Sequence, residues 1–316
     1  MSLGAVAGFA LVFVVTTWTI SALGVLALAQ ARSCLQRVGP MAERRAAEAV
    51  AIVPVVLGIL AVVTLLLQST VGVDHCEAHG HHAHLCVTHG AQWIERTWVV
   101  VGLAIVAATL LGRTVVVAAS FLRGARSIRE LHALSSAASG VRLVDSDRAF
   151  CFVARSGIYV SSRVWTSLSE GERAALVAHE AAHVRHGDLR TRAVLEAFLV
   201  LAAPLVGDRV RSAWLGASER LCDAHAASVT GEPEVVATAM VSMCRLHATQ
   251  PVQASGFTPT VEEVEGRVRA VLAGGPLGAR EAVVLARVVI ATCVVLAIAG
   301  VVAAEPVHHA FETVLG

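Results

Sequence analysis

The chain has 316 residues, of which 56% are hydrophobic and only 16% charged, with a formal net charge of +1 and a mean hydropathy of +0.69. A soluble globular chain carries roughly a quarter charged residues. The composition therefore excludes an ordinary soluble enzyme, and the near-neutral charge excludes direct nucleic-acid binding through a basic footprint. The bilayer is the partner that this composition implies.

A hydrocarbon core needs about 20 apolar residues in helix. The first such segment runs from about Leu3 to Ala29, with no charged residue before Arg32. It lacks a basic leader region and exceeds a signal peptide's apolar core, so it reads as an uncleaved membrane helix. The second is Ala49 to Leu67, with Pro54 tolerated inside it. The loop between them holds Arg32, Arg37, Arg44 and Arg45 and is expected on the cytoplasmic side. The next connection, 68–96, has Asp74, Glu77 and Glu95 against Arg96 alone, so it is expected outside.

That external loop concentrates His75, His79, His81, His82, His84 and His89, six of the fourteen histidines, within fifteen residues. Imidazoles at this density suit zinc, copper or nickel. Cys76 and Cys86 flank most of them, on the side of the membrane where disulfides persist, and their spacing allows a bridge. Three readings stay open: a metal or pH sensor, an incidental metal-binding loop braced by a disulfide, and a polar loop without a ligand. The other five cysteines, Cys34, Cys151, Cys222, Cys244 and Cys293, read as reduced, packed residues.

The third apolar segment runs from Trp98 to about Leu122, interrupted by Arg113, and Arg123, Arg126 and Arg129 follow it. The fourth covers 282–304, with Arg287 near its start. This alternation puts the N-terminus and the tail Glu305–Gly316 outside and leaves 123–281 inside. The expected organisation is three membrane helices over 1–122, a cytoplasmic domain over 123–281, and a fourth membrane helix with a short external tail over 282–316.

The cytoplasmic segment reads as α+β. Ala149–Ala154 and Ile158–Ser162 are short strand-like runs joined by a Ser-Gly turn. Ser169 with Glu172 three residues on is a capping-box pattern, starting a helix that runs to His186 and stops at Gly187. The apolar stretch Ala193–Val206 contains Glu196 and Pro204, and its clean run is too short to span. A buried or membrane-surface helix is expected there, with a re-entrant hairpin as the alternative.

The capped helix carries His179-Glu180-Ala181-Ala182-His183. Two histidines four apart share one helix face and can hold one metal ion. Glu180 can reach a water on that metal, whose pKa zinc lowers to around 7. The bland alternative is a chance pair of surface histidines. Against it, an apolar run precedes the motif, and buried imidazoles and a carboxylate are costly without partners. A third ligand is required. Glu219 and Asp223, four apart, form the candidate second helix face: Glu219 to ligate zinc and Asp223 to orient a ligand histidine. An ordinary solvated acidic pair is the alternative. His186 and His225 lie near the motifs and are candidates for stabilising an oxyanion.

Four membrane helices, the motif His179-Glu180-Ala181-Ala182-His183 with Asp188 after it, Glu219-Arg220-Leu221-Cys222-Asp223, and the stretch Val264-Glu265-Gly266-Arg267-Val268-Arg269 together resemble the BlaR/MecR-type membrane metallopeptidases. More distantly the pattern is similar to HtpX-type proteases. The resemblance implies a multi-pass α-helical protein of the bacterial cytoplasmic membrane with a cytoplasmic zincin-type (gluzincin) domain. It implies Zn²⁺ on His179, His183 and Glu219, Glu180 as general base, and a cytoplasmic protein substrate such as a transcriptional repressor. The external penicillin-binding domain of those receptors has no counterpart in the dozen or so residues after 304, so a protease without the β-lactam sensor is expected.

Proteases of this type bind substrate as an added strand along a sheet edge. Cys151–Ala154 or Ile158–Ser161 would supply that edge, or form a plain structural hairpin. The competing functions are a non-catalytic metal-binding receptor and an HtpX-like quality-control protease.

Overall fold

The computed structural model describes residues 3–71, 97–138, 140–248, 260–275, 277–288 and 291. The histidine-rich loop, the Cys76–Cys86 pair and most of the fourth apolar segment lie outside the described residues.

Among the described residues, three helices are long and apolar enough to cross a membrane: α1 (Leu3–Val38), α2 (Pro40–Val71) and α3 (Thr97–Leu134). Only Gly39, at φ 133°, separates α1 from α2, and Pro40 suits the first helical position. The expected basic loop is thus corrected. Arg32 and Arg37 end α1, while Arg44 and Arg45 begin α2. The Ala-, Arg- and Glu-rich start of α2 is a strong helix former, and Arg44 pairs with Glu48 one turn on at 3.1 Å. Likewise Arg123, Arg126 and Arg129 continue α3.

α1 and α2 pack antiparallel through small residues. Gly24 faces Val50, and Gly58 abuts the Thr17 hydroxyl and the Phe13 ring. Leu277 O accepts from Met41 N at 3.1 Å, which brings the start of a helix over 279–288 beside the α1–α2 connection.

A four-stranded sheet follows, with strands β1 (Ser135–Ala138), β2 (Val141–Val144), β3 (Cys151–Ala154) and β4 (Gly157–Ser161). Its order is β1-β2-β4-β3, with β2 and β4 parallel and the other pairs antiparallel. The β3–β4 hairpin matches the expected pair. β1 and β2 were not anticipated, because Ser-Ser-Ala-Ala carries no strand signal and each strand has only four residues. Tyr159 is fully buried, and its hydroxyl lies 2.7 Å from His132 Nδ1 on α3 and from Ser156 Oγ.

The remaining helices are α4 (Ser162–Ser167), α5 (Glu170–Arg185), α6 (Asp188–Leu201), α7 (Val206–Thr230), α8 (Pro233–Ala248) and α9 (Val261–Ala273). The capping box on α5 is formed: Ser169 Oγ accepts from Glu172 N, and Glu172 Oε2 accepts from Ser169 N. Gly187, at φ 68°, turns the chain from α5 into α6. The stretch Ala193–Val206 is the second half of α6 plus a turn. It packs on α1 and α2, where Leu195, Leu199, Ala202, Val210 and Trp214 form one core with Val25, Ala47 and Ala51. Of the cysteines expected to be packed, Cys222 is buried, but Cys34 is exposed on the outer face of α1.

Candidate metal centre

The α5 helix presents His179, Glu180 and His183 to a cleft of about 730 Å³, and α7 presents Glu219 and Asp223 from the facing side. His179 Nε2 and His183 Nε2 are 3.2 Å apart. Glu219 Oε2 lies 3.5 Å from the first and Glu219 Oε1 lies 3.6 Å from the second. The donor atoms of all three residues fall within 4.8 Å of one another. Helical spacing brings the histidines together, and tertiary packing of α5 on α7 brings in the carboxylate.

Each imidazole is held from behind. His179 Nδ1 is 2.9 Å from Asp223 Oδ1, and His183 Nδ1 is 2.6 Å from Asp188 Oδ2. An ionised carboxylate only accepts, so each Nδ1 must donate and each Nε2 is turned to the centre. Two imidazole nitrogens and one carboxylate, with the cleft open beside them, are the donor set and coordination number of a catalytic zinc site. The residues therefore fit that ion. A second cluster, His183, Asp188 and Cys222, converges on the already engaged Nδ1, with Cys222 Sγ 3.3 Å away. Burial, with the nearby carboxylates, pushes the Cys222 thiol up, so it stays protonated and supports the ring.

Arg267 on α9 holds the acidic pair. Its Nε and Nη2 donate to Asp223 Oδ2 and Oδ1 at 2.7 and 2.8 Å, and its Nη1 lies 2.9 Å from Glu219 Oε2. Burial works against the charged form of Asp223, yet Arg267 and the His179 ring hold its carboxyl below the usual range. For Glu219 too, burial raises while His179 and Arg267 lower, and the carboxyl ends well below the usual range. Burial disfavours charge on His179, but Asp223 and Glu219 outweigh it and push the imidazole up to about 10.

Arg44 on α2 reaches the same centre. Its Nη1 is 2.6 Å from Asp188 Oδ1 and its Nη2 donates to the His186 carbonyl at 3.4 Å, with the guanidinium 5.1 Å from the Trp214 ring centre. Neither Arg267 nor Arg44 was assigned a role from the sequence. The only available signal was indirect: buried carboxylates at 188 and 223 need cations.

Glu180 is buried and lines the cleft. The Cys151 thiol is its neighbour; burial, with the Glu180 carboxylate, raises that thiol, which stays a donor towards Glu180. β3 lines the cleft and, among the described residues, is paired only with β4, so it offers a sheet edge. β4 lies between β2 and β3, which removes Ile158–Ser161 as an alternative edge. His186 and His225 meet edge to face with ring centres 5.9 Å apart, and neither is among the residues that line the cleft.

Residues 124–215 match the family model of Peptidase family M48. The matched stretch contains the sheet and the His179–His183 motif and ends before Glu219, Asp223 and Arg267. It supports a metallopeptidase domain in a mostly helical chain with three apolar helices of membrane-spanning length. It singles out neither the BlaR/MecR type nor the HtpX type. No curated protein and no solved structure matches the chain.

Proposed function

We propose that the protein is a zinc-dependent endopeptidase of the bacterial inner membrane, with its catalytic domain on the cytoplasmic side, that cleaves a protein substrate as a regulatory step. The observation that carries the reading is the convergence of His179 Nε2, His183 Nε2 and Glu219, with both Nδ1 atoms locked by carboxylates. A repressor substrate rests on the sequence resemblance alone. The divalent ion would supply Lewis acidity to the scissile carbonyl and acidify a water. Glu180 is placed to hold, on its carboxylate, a proton taken from an attacking water and would return it to the departing amine nitrogen. β3 aligns the substrate backbone as an added strand. Asp223 and Asp188 keep the two Nδ1–H groups oriented, and Arg267 keeps Asp223 and Glu219 ionised.

Bound zinc in the detergent-purified protein tests this. His179→Ala and Glu219→Ala lower it, while a variant lacking the histidines of the 75–89 loop keeps it. Zinc retained by both single variants and lost with the loop would sink the assignment and leave a metal-binding receptor.

A second expected result concerns protons. His179 in the metal-free site holds its proton below about 10, so at pH 7 the metal must displace it. Zinc binding then releases about one proton, and affinity rises with pH across the neutral range. Titration calorimetry in buffers of different ionisation heat measures this; a heat independent of buffer would contradict it.

A further inference from the structure

The apolar run of α2, 49–67, is 19 residues long, counting both ends, and ends at Glu48. At 1.5 Å per residue it matches a hydrocarbon core of about 30 Å, so the bilayer middle falls near Gly58. Gly58 packs on Thr17 and Phe13, which sets the middle of α1 beside Trp18. Trp18 Nε1 donates to the carbonyl of Leu201, the last residue of α6, at 3.2 Å. Arg113, near the centre of α3, donates to the Ala202 carbonyl at 2.6 Å and to that of Leu199. These are carbonyls of the last turn and cap of α6, where the helix ladder runs out; Leu199 O also accepts from the cap Ala202 N at 3.3 Å. Three membrane helices thus assign the end of α6 one depth, far from the Arg44 level.

The turn beyond it is suited to that depth on one side. Leu205 adopts φ 69° and is 84% exposed, next to the exposed Pro204. The other side is charged: Arg211 donates to both oxygens of Glu196 at 2.7 Å and pairs with Asp208 at 2.5 Å. Asp208 is 88% exposed, and Arg209 is exposed too. Charged groups at membrane depth face protein or water-filled space, not lipid.

We propose that α6 and α7 form a re-entrant hairpin that dips to about the middle of the bilayer. Its Leu205 tip meets lipid, and its Glu196–Arg211–Asp208 face lines a water-filled inlet next to Arg113. The buried-helix expectation for Ala193–Val206 gives way to the alternative. Gly58, Trp18 and Arg113, which set this depth, are not among the residues that converge on the metal centre, so failure of the depth test leaves the peptidase reading standing.

The test is depth. A fluorescent amino acid is installed through an amber codon at position 205, and separately at 204, in the full chain reconstituted into phosphatidylcholine vesicles. The lipids carry a nitroxide either near the headgroup or near mid-chain. Across a core of about 30 Å, quenching at 205 and 204 is expected to be at least about twofold stronger from the mid-chain nitroxide. The same probe at Arg155, exposed in the β3–β4 turn, is expected to be quenched by neither. Stronger quenching from the shallow nitroxide at both tip positions, or none from either lipid, overturns the proposal and puts the hairpin outside the core.

Discussion

With Glu180→Gln, peptide cleavage falls by about 10²- to 10⁴-fold while bound zinc stays at the wild-type level. The amide keeps the size and hydrogen-bonding shape of the side chain but cannot accept a proton from water. Nothing in the ligand set changes, because Glu180 is not among the residues whose donor atoms converge on the centre. The Cys151 thiol, a neighbour of Glu180, keeps an acceptor in the amide oxygen. Cleavage of a substrate protein by the purified variant, beside its zinc content, is the measurement. Full cleavage by the zinc-loaded variant would show that Glu180 is not the general base, and full cellular function without cleavage would show that proteolysis is not the function.

Arg267→Ala is expected to be nearly as damaging, by a different route. It leaves the Asp223 carboxylate, fully buried, without two short N–H donors, and it removes the cation beside Glu219. Breaking a buried ion pair from one side costs about 3–5 kcal/mol. Loss of an outer partner of a metal ligand typically lowers metal affinity by about 10- to 100-fold. Arg267→Lys keeps the charge but loses the planar fork, so it restores only part of the affinity. Zinc affinity by chelator competition, with thermal unfolding of the same samples, separates the two effects. A variant that binds zinc as tightly as wild type would show that Asp223 orients His179 without help.

What was legible in the sequence was local. The spacing of His179, Glu180 and His183 fixes one helix face, the Ser169–Glu172 pair fixes where that helix starts, and Glu219 and Asp223 share a face for the same reason. These follow from a period of 3.6 residues and need no tertiary information. The β3–β4 hairpin was legible because its turn is short and marked by glycine. The partners that orient the ligands were not legible. Arg267 meets Asp223 across 44 positions, and Arg44 belongs to a membrane helix whose charges looked like an ordinary basic loop. Pairing of buried charges across a fold is decided by how helices dock, and neither residue type nor spacing encodes that. The end of α6 was ambiguous for a related cause. Its apolar run is too short to span and too long for a turn, and only its contacts to Trp18 and Arg113 tell the two uses apart.

The Arg44–Asp188–His183 chain makes a helix of membrane-spanning length and a candidate metal ligand parts of one linkage. Trp214 Nε1 donates to Glu48 at 3.1 Å, Glu48 holds Arg44 at 3.1 Å, and Arg44 and His183 each lie 2.6 Å from Asp188. Every joint in it is short and largely enclosed, so there is little slack. A slip of α2 by a single residue's rise is about 1.5 Å, three times the tolerance of about 0.5 Å within which a ligand must be held to stay productive. A helix that spans a bilayer meets a change in its thickness by tilting or kinking. The centre is therefore mechanically geared to α2: what strains that helix along its axis arrives at an imidazole as a change of aim.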